Sequence, residues 1–82
     1  MNIVLSKHAE KNLHRLPPPQ ELKVTKKLLV LQTHPYNGKQ LSGKLNSLFS
    51  LRAWPYRIIY EIDKHRQVIT IHTIEHRQGV YK

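Results

Sequence analysis

The sequence contains no cysteine, which excludes disulfide staples and thiolate zinc sites together. Its three glycines are too few for a glycine-rich phosphate loop. Acidic residues are scarce: Glu10, Glu21, Glu61, Asp63 and Glu75 are the full set of five. Their scatter over different segments argues against a paired-carboxylate active site. No apolar run approaches the roughly 18 residues that a membrane span needs. The start, MNIVLSKHAEK, lacks the basic segment and long apolar stretch of a secretion signal. We therefore expect a cytoplasmic protein with no membrane association. No repeat, linker or low-complexity segment interrupts the chain, and we read residues 1–82 as one domain. At this length only a modest share of the surface is buried. The core must stabilise the fold without covalent help.

What is abundant is positive charge. Fourteen Lys and Arg against five acids give +9, with a sequence pI near 10.2. In so small a domain this excess attracts a polyanion, either nucleic acid or an acidic protein. Six histidines are present: His8, His14, His34, His65, His72 and His76. A metal site needs three or four of them to converge. His72 and His76 are four apart, but on a strand that spacing separates them by about 13 Å. No metal site and no cofactor is expected.

The period of the apolar residues predicts an α+β domain of order β-α-α-β-β-β. MNIVL reads as a first strand, and Ser6 stands where a helix N-cap would. Ala9, Leu13 and Leu16 follow at helical spacing. Pro17, Pro18 and Pro19 end that helix and lead into a second over 20–33. Val24, Leu28 and Leu31 form its inner stripe, with Lys23, Lys26 and Lys27 off it. HPYNG, at 34–38, is a loop with a strong Asn-Gly turn signal. Beyond it the period falls to two. In LFSLRA, Phe49 and Leu51 alternate with Arg52. In YRIIYEI, Tyr56, Ile58, Tyr60 and Ile62 share one face, with Arg57, Ile59 and Glu61 on the other. VITIHTI is a strongly β-branched third strand. Short turns between these strands imply an antiparallel three-stranded meander, with the helical hairpin packed on one face.

Such a meander carries an arginine-rich sheet. Arg52 and Arg57 flank a tight WPY turn, and Arg77 follows the last strand, so Arg57 and Arg77 are expected to approach each other. A guanidinium holds a planar fork of donors that matches phosphate oxygens and stays charged. His76 and Tyr81 stand beside Arg77 in the final TIEHRQGVYK. Arg57, Arg77, His76 and Tyr81 are thus candidate phosphate-handling residues. A solvated basic face, with each arginine paired to an acid such as Glu61 or Glu75, accounts for the same residues.

From Lys39 to Lys82 the chain resembles the RelE/ParE toxin superfamily, specifically its RelE-like ribonucleases. The matching pieces are GKQLSGKLNSLFSLRAWPYRIIYEID and HRQGVYK. They contain Leu41-x-Gly43, a Leu-Arg pair, then Tyr56-Arg57-Ile58-Ile59-Tyr60, His76-Arg77 and Val80-Tyr81 in that order. The N-terminal half adds the strand and helical hairpin that such toxins have. The resemblance implies a type II toxin that cuts messenger RNA in the ribosomal A site without metal. It implies neutralisation by an acidic, RelB-like antitoxin, and contact of the complex with operator DNA through that antitoxin. In that chemistry a 2′-hydroxyl attacks its own phosphodiester, leaving a 2′,3′-cyclic phosphate and a free 5′-hydroxyl. By position Arg57 matches the family's phosphate-binding arginine, Arg77 its second active-site arginine and Tyr81 its near-terminal tyrosine. Lys39, Lys44 and Arg52 are expected to hold RNA. Where well-studied members carry two lysines, this chain has Leu48 and Ser50. Proton transfer then passes to His76, whose residue type titrates nearest neutrality, with Tyr81 and Lys44 as alternatives. A gyrase-inhibiting ParE-like toxin and an inactive binding module of the same fold remain open.

Overall fold

The computed structural model describes residues 1–41 and 47–77. Strand β1 (Asn2–Leu5) leads into helices α1 (Lys7–His14) and α2 (Pro18–Thr33). Strands β2 (Lys39–Gln40), β3 (Leu48–Ala53), β4 (Tyr56–Asp63) and β5 (Val68–His76) follow. The α+β order read from the sequence is present, with one strand more. At two residues, β2 is too short to display a period. Helix α2 also starts earlier than Gln20, because Pro18 fits the first helical turn, where its missing N–H has no partner to lose.

Ser6 begins α1 as its polarity suggests. Its hydroxyl accepts from the Ala9 N–H at 3.0 Å and donates to the His72 carbonyl at 2.8 Å. One side chain thereby caps the helix and ties it to β5. The sheet runs β1-β5-β4-β3-β2. The meander β3-β4-β5 is antiparallel throughout, whereas β1 lies parallel to β5, from Asn2 opposite Val68 to Leu5 opposite Ile71. Beyond Leu5 the edge of β5 is uncovered by strand. There Asn12 of α1 accepts from the Ile74 N–H at 3.1 Å and from the Thr73 hydroxyl at 3.2 Å. A helix side chain thus closes a sheet edge.

Both helices lie on one face. Ala9, Val24, Leu28 and Leu31 pack there against Leu51, Ala53, Ile58, Tyr60, Ile69, Ile71 and Ile74. In β5 the inward residues are at 69, 71 and 74, which a plain alternation forbids. A register shift between Ile59 and Tyr60 places two steps of β5 against one of β4, and the extra residue restores the inward direction. Arg52, Arg57, Ile59 and Glu61 accordingly face away from the helices. Among the described residues no helix is long and apolar enough to cross a membrane.

Tyr60 anchors the loop before β2. Its hydroxyl accepts from the Gly38 N–H at 3.0 Å and donates to the Pro35 carbonyl at 2.9 Å, and its ring stacks on Phe49 at 5.4 Å. A Cβ on Gly38 would lie 2.5 Å from the Tyr60 oxygen and 2.9 Å from the Ser50 carbonyl. Glycine is required here for close approach, and that approach sets where Lys39 begins β2.

Candidate functional site

The face of the sheet turned away from the helices carries Lys39, Arg52 and Arg57. Arg52 of β3 and Arg57 of β4 are direct cross-strand partners, and Glu75 of β5 lies opposite Arg57. Two like charges in that position repel. Nevertheless, among the described residues no carboxylate lies within ion-pairing distance of either arginine. Among them Arg66 pairs with Asp63 at 3.9 Å, and His72 shares a hydrogen bond with Glu61 at 2.9 Å. Glu61, one of the acids available to pair with an arginine, is held by His72 instead. Lys39 lies opposite Ser50. Together Gly38, Lys39, Gln40, Ser50, Arg52 and Arg57 border an open depression of about 620 Å³.

Round the end of the sheet a second group assembles. The Arg77 N–H donates to the Pro55 carbonyl at 2.8 Å, and its guanidinium lies 4.8 Å from the Trp54 ring centroid. Lys23 of α2 donates its ammonium to the Trp54 carbonyl at 2.8 Å. Trp54 joins Pro55 through a cis peptide bond in the β3–β4 turn. His76 stands opposite Tyr56, with the two rings edge-on at 5.2 Å.

These positions sort the candidate residues. Lys39, Arg52 and Arg57 come together at the depression. Arg77 and His76 sit at the same end of the sheet, where β4 begins and β5 ends. Strand alternation puts His76 on the helix side and Arg57 on the uncovered side, so a ligand touching both must wrap the strand end. Leu48 and Ser50 lie on the uncovered face, opposite Glu61 and Ile59. Tyr81 and Lys44 fall outside the described residues. Burial pushes the Tyr60 phenol above its ordinary range, with the bond from the Gly38 N–H acting in the opposite direction. That tyrosine belongs to the core and not to this site. Trp54 carried no functional expectation, since WPY was legible only as a turn. A tryptophan beside two arginines in a turn was the available signal.

A family model described as the ParE toxin of type II toxin–antitoxin systems, parDE, matches residues 3–81. The chain belongs to this toxin family. It is 33% identical over 76 residues to Toxin RelG of Mycobacterium tuberculosis H37Rv, covering 90% of this chain and 87% of that protein. Its fold is similar to the toxin in the RelBE2 toxin–antitoxin complex of M. tuberculosis, with 31% identity and a TM-score of 0.85. That match covers 93% of this chain and 96% of the other. The YoeB/ParE toxin of Agrobacterium tumefaciens shares the fold at 15% identity and a TM-score of 0.81, covering 93% and 98% of the two chains. The protein is thus a type II toxin of the RelE/ParE kind, as the Tyr56–Tyr60 and His76–Tyr81 motifs implied.

Proposed function

We propose that this toxin is an endoribonuclease that cleaves messenger RNA in the ribosomal A site and so stops translation. The observation that carries the reading is the Arg52–Arg57 pair, set side by side on the face turned from the helices with no carboxylate of the described residues in ion-pairing range. Such an arrangement favours a bound polyanion. In the proposed reaction the ribose 2′-hydroxyl attacks the adjacent phosphorus, and the bond from phosphorus to the 5′-oxygen breaks. One proton leaves the attacking hydroxyl and another reaches the departing oxygen. The products are a 2′,3′-cyclic phosphate and a 5′-hydroxyl. Arg57 and Arg77 stabilise the added charge of the phosphorane by preorganised donors. His76 and Tyr81 are assigned the proton transfers, His76 acting round the end of β5. Arg52, Lys39 and Lys44 hold flanking phosphates, which lowers the affinity as salt rises. No step in this scheme requires a metal.

The RelBE2 protein from M. tuberculosis was solved as a toxin–antitoxin complex. Together with the +9 charge, this supports an acidic antitoxin as the partner here, with operator DNA reached through the antitoxin. The whole chain acts as one cytoplasmic domain in this reading.

A second reading, gyrase inhibition, draws on the ParE description of the family model. Purified protein added to translating ribosomes should create new mRNA 5′ ends within coding sequence, each bearing a hydroxyl, and leave gyrase supercoiling intact. Loss of supercoiling without new ends would select gyrase. Neither effect would identify an inactive binding module.

A further inference from the structure

Trp54 is the one tryptophan of the chain, and it is 52% exposed. It takes no part in the core, so packing does not account for it. Its surroundings are cationic from three directions. Arg77, at the end of β5, lies over the ring at 4.8 Å, and Lys23 reaches across from α2 to its carbonyl. Arg52 and Arg57 stand in the strands on either side of the turn. The bond from the Arg77 N–H to Pro55 holds the backbone that carries the guanidinium against the same turn. With a cation on one side and half the residue still in water, the indole retains room for a second planar partner.

We propose that Trp54 and Arg77 form a nucleobase subsite, in which a base of single-stranded RNA stacks on the indole while Arg77 and Lys23 meet the neighbouring phosphates. The subsite rests on RNA being the substrate. Its physical basis is general. Single strands are held by aromatic faces set among cations, since every base has a π-face and every linkage a charge. A cation over the opposite face of the indole is itself attracted to the ring, which fixes the platform before RNA arrives. The turn lies next to Arg57, so a base stacked on Trp54 belongs to a nucleotide adjoining the proposed scissile phosphate. Trp54 then sets which nucleotide enters the site.

Because Trp54 is the sole indole, its fluorescence reports the subsite alone. The test titrates wild-type protein at low salt with a short RNA whose 2′-hydroxyls are methylated, which blocks attack. The same backbone carrying abasic residues gives the control. The RNA with bases should quench the emission, and the abasic strand should not. By fluorescence anisotropy of labelled RNA, Trp54→Ala should weaken binding about 10- to 100-fold, and Trp54→Phe by no more than about threefold. Trp54→Ala should leave the affinity for the abasic strand unchanged. Circular dichroism and thermal melts should match the wild type for both variants, as expected of an exposed residue. The subsite is overturned by RNA that binds without quenching, by absence of binding at low salt, or by equal quenching from the abasic strand. It is also overturned if Trp54→Ala binds as the wild type does. Cleavage is read separately on ribosomes. A protein that cuts mRNA but shows no base-dependent quenching loses only the subsite, and one that quenches but never cuts loses only the nuclease assignment.

Discussion

Arg52 and Arg57 destabilise each other where they stand, and that cost gives a direct test of their purpose. Removing one like charge from a cross-strand pair relieves repulsion worth a few tenths of a kcal/mol, up to about 1 kcal/mol. Arg57→Ala also gives up the attraction to Glu75 opposite it, so it should melt close to the wild-type temperature while cutting mRNA on the order of 100-fold more slowly. Thermal unfolding and ribosome-dependent cleavage check the two halves independently. Tyr60 shows the opposite balance. Tyr60→Phe removes the partner of both the Gly38 N–H and the Pro35 carbonyl, and urea titration should show a loss of about 1–3 kcal/mol. Burial also raises the Tyr60 phenol in the folded state, which gives its pH effect a definite sign. Below about pH 10 both folded and unfolded chains keep this proton, and the contribution is constant. As the pH rises through the higher folded value, the unfolded chain has already released its proton, and stability falls. The wild type should lose stability above about pH 10 more steeply than Tyr60→Phe. For His76, the proton-transfer role predicts that His76→Gln slows single-turnover cleavage and changes the shape of its pH profile. An unchanged profile would move that role to Tyr81 or Lys44.

At the level of elements, the contact between α1 and β5 joins the helical layer to the sheet. Ser6→Ala deletes an N-cap and also leaves the His72 carbonyl without its hydroxyl donor. The cap alone is worth about 1 kcal/mol. Hydrogen exchange of Ala9 and Glu10 amides should accelerate in this variant, and chemical denaturation should register at least that loss. Helix α1 was legible because its start, its spacing and its proline stop are local signals. Strand β2 was not, because two residues have no period. The register shift in β5 was hidden for a different reason. VITIHTI reads as simple alternation, and only pairing with β4 shows that Ile74 rejoins the inner face while Thr73 turns to Asn12.

The molecule as a whole is basic on both sides, with Lys7, Lys11, Lys23, Lys26 and Lys27 carried by the helices. Its helices and β-branched strands supply the core, while Lys39, Arg52, Arg57 and Arg77 stand on the remaining face and its end. With a net charge of +9, long-range attraction should govern its encounters with an acidic antitoxin. Stopped-flow association should slow markedly as salt rises, since the screening length is already about 10 Å at 0.1 M. A salt-independent on-rate would show that contact chemistry and not charge steers the complex.

The sequence by itself determined the strand–helix–helix–meander order, the inward residues of α2 and the net basic charge of the molecule. These follow from period, capping and charge, which act over a few residues or over the sum of all of them. Motifs in the last half also sufficed to indicate the toxin family. Only tertiary structure decided that β1 runs parallel to β5, since that pairing joins residues 66 apart, from Asn2 to Val68, with no local signal. It decided that Gly38 serves close approach to Tyr60. It also set Arg52 against Arg57, His76 on the other side of the sheet from both, and Trp54 beneath Arg77. Alternation assigns a residue to one of two faces, but which residues meet across strands depends on register, and register emerges only when the strands pair.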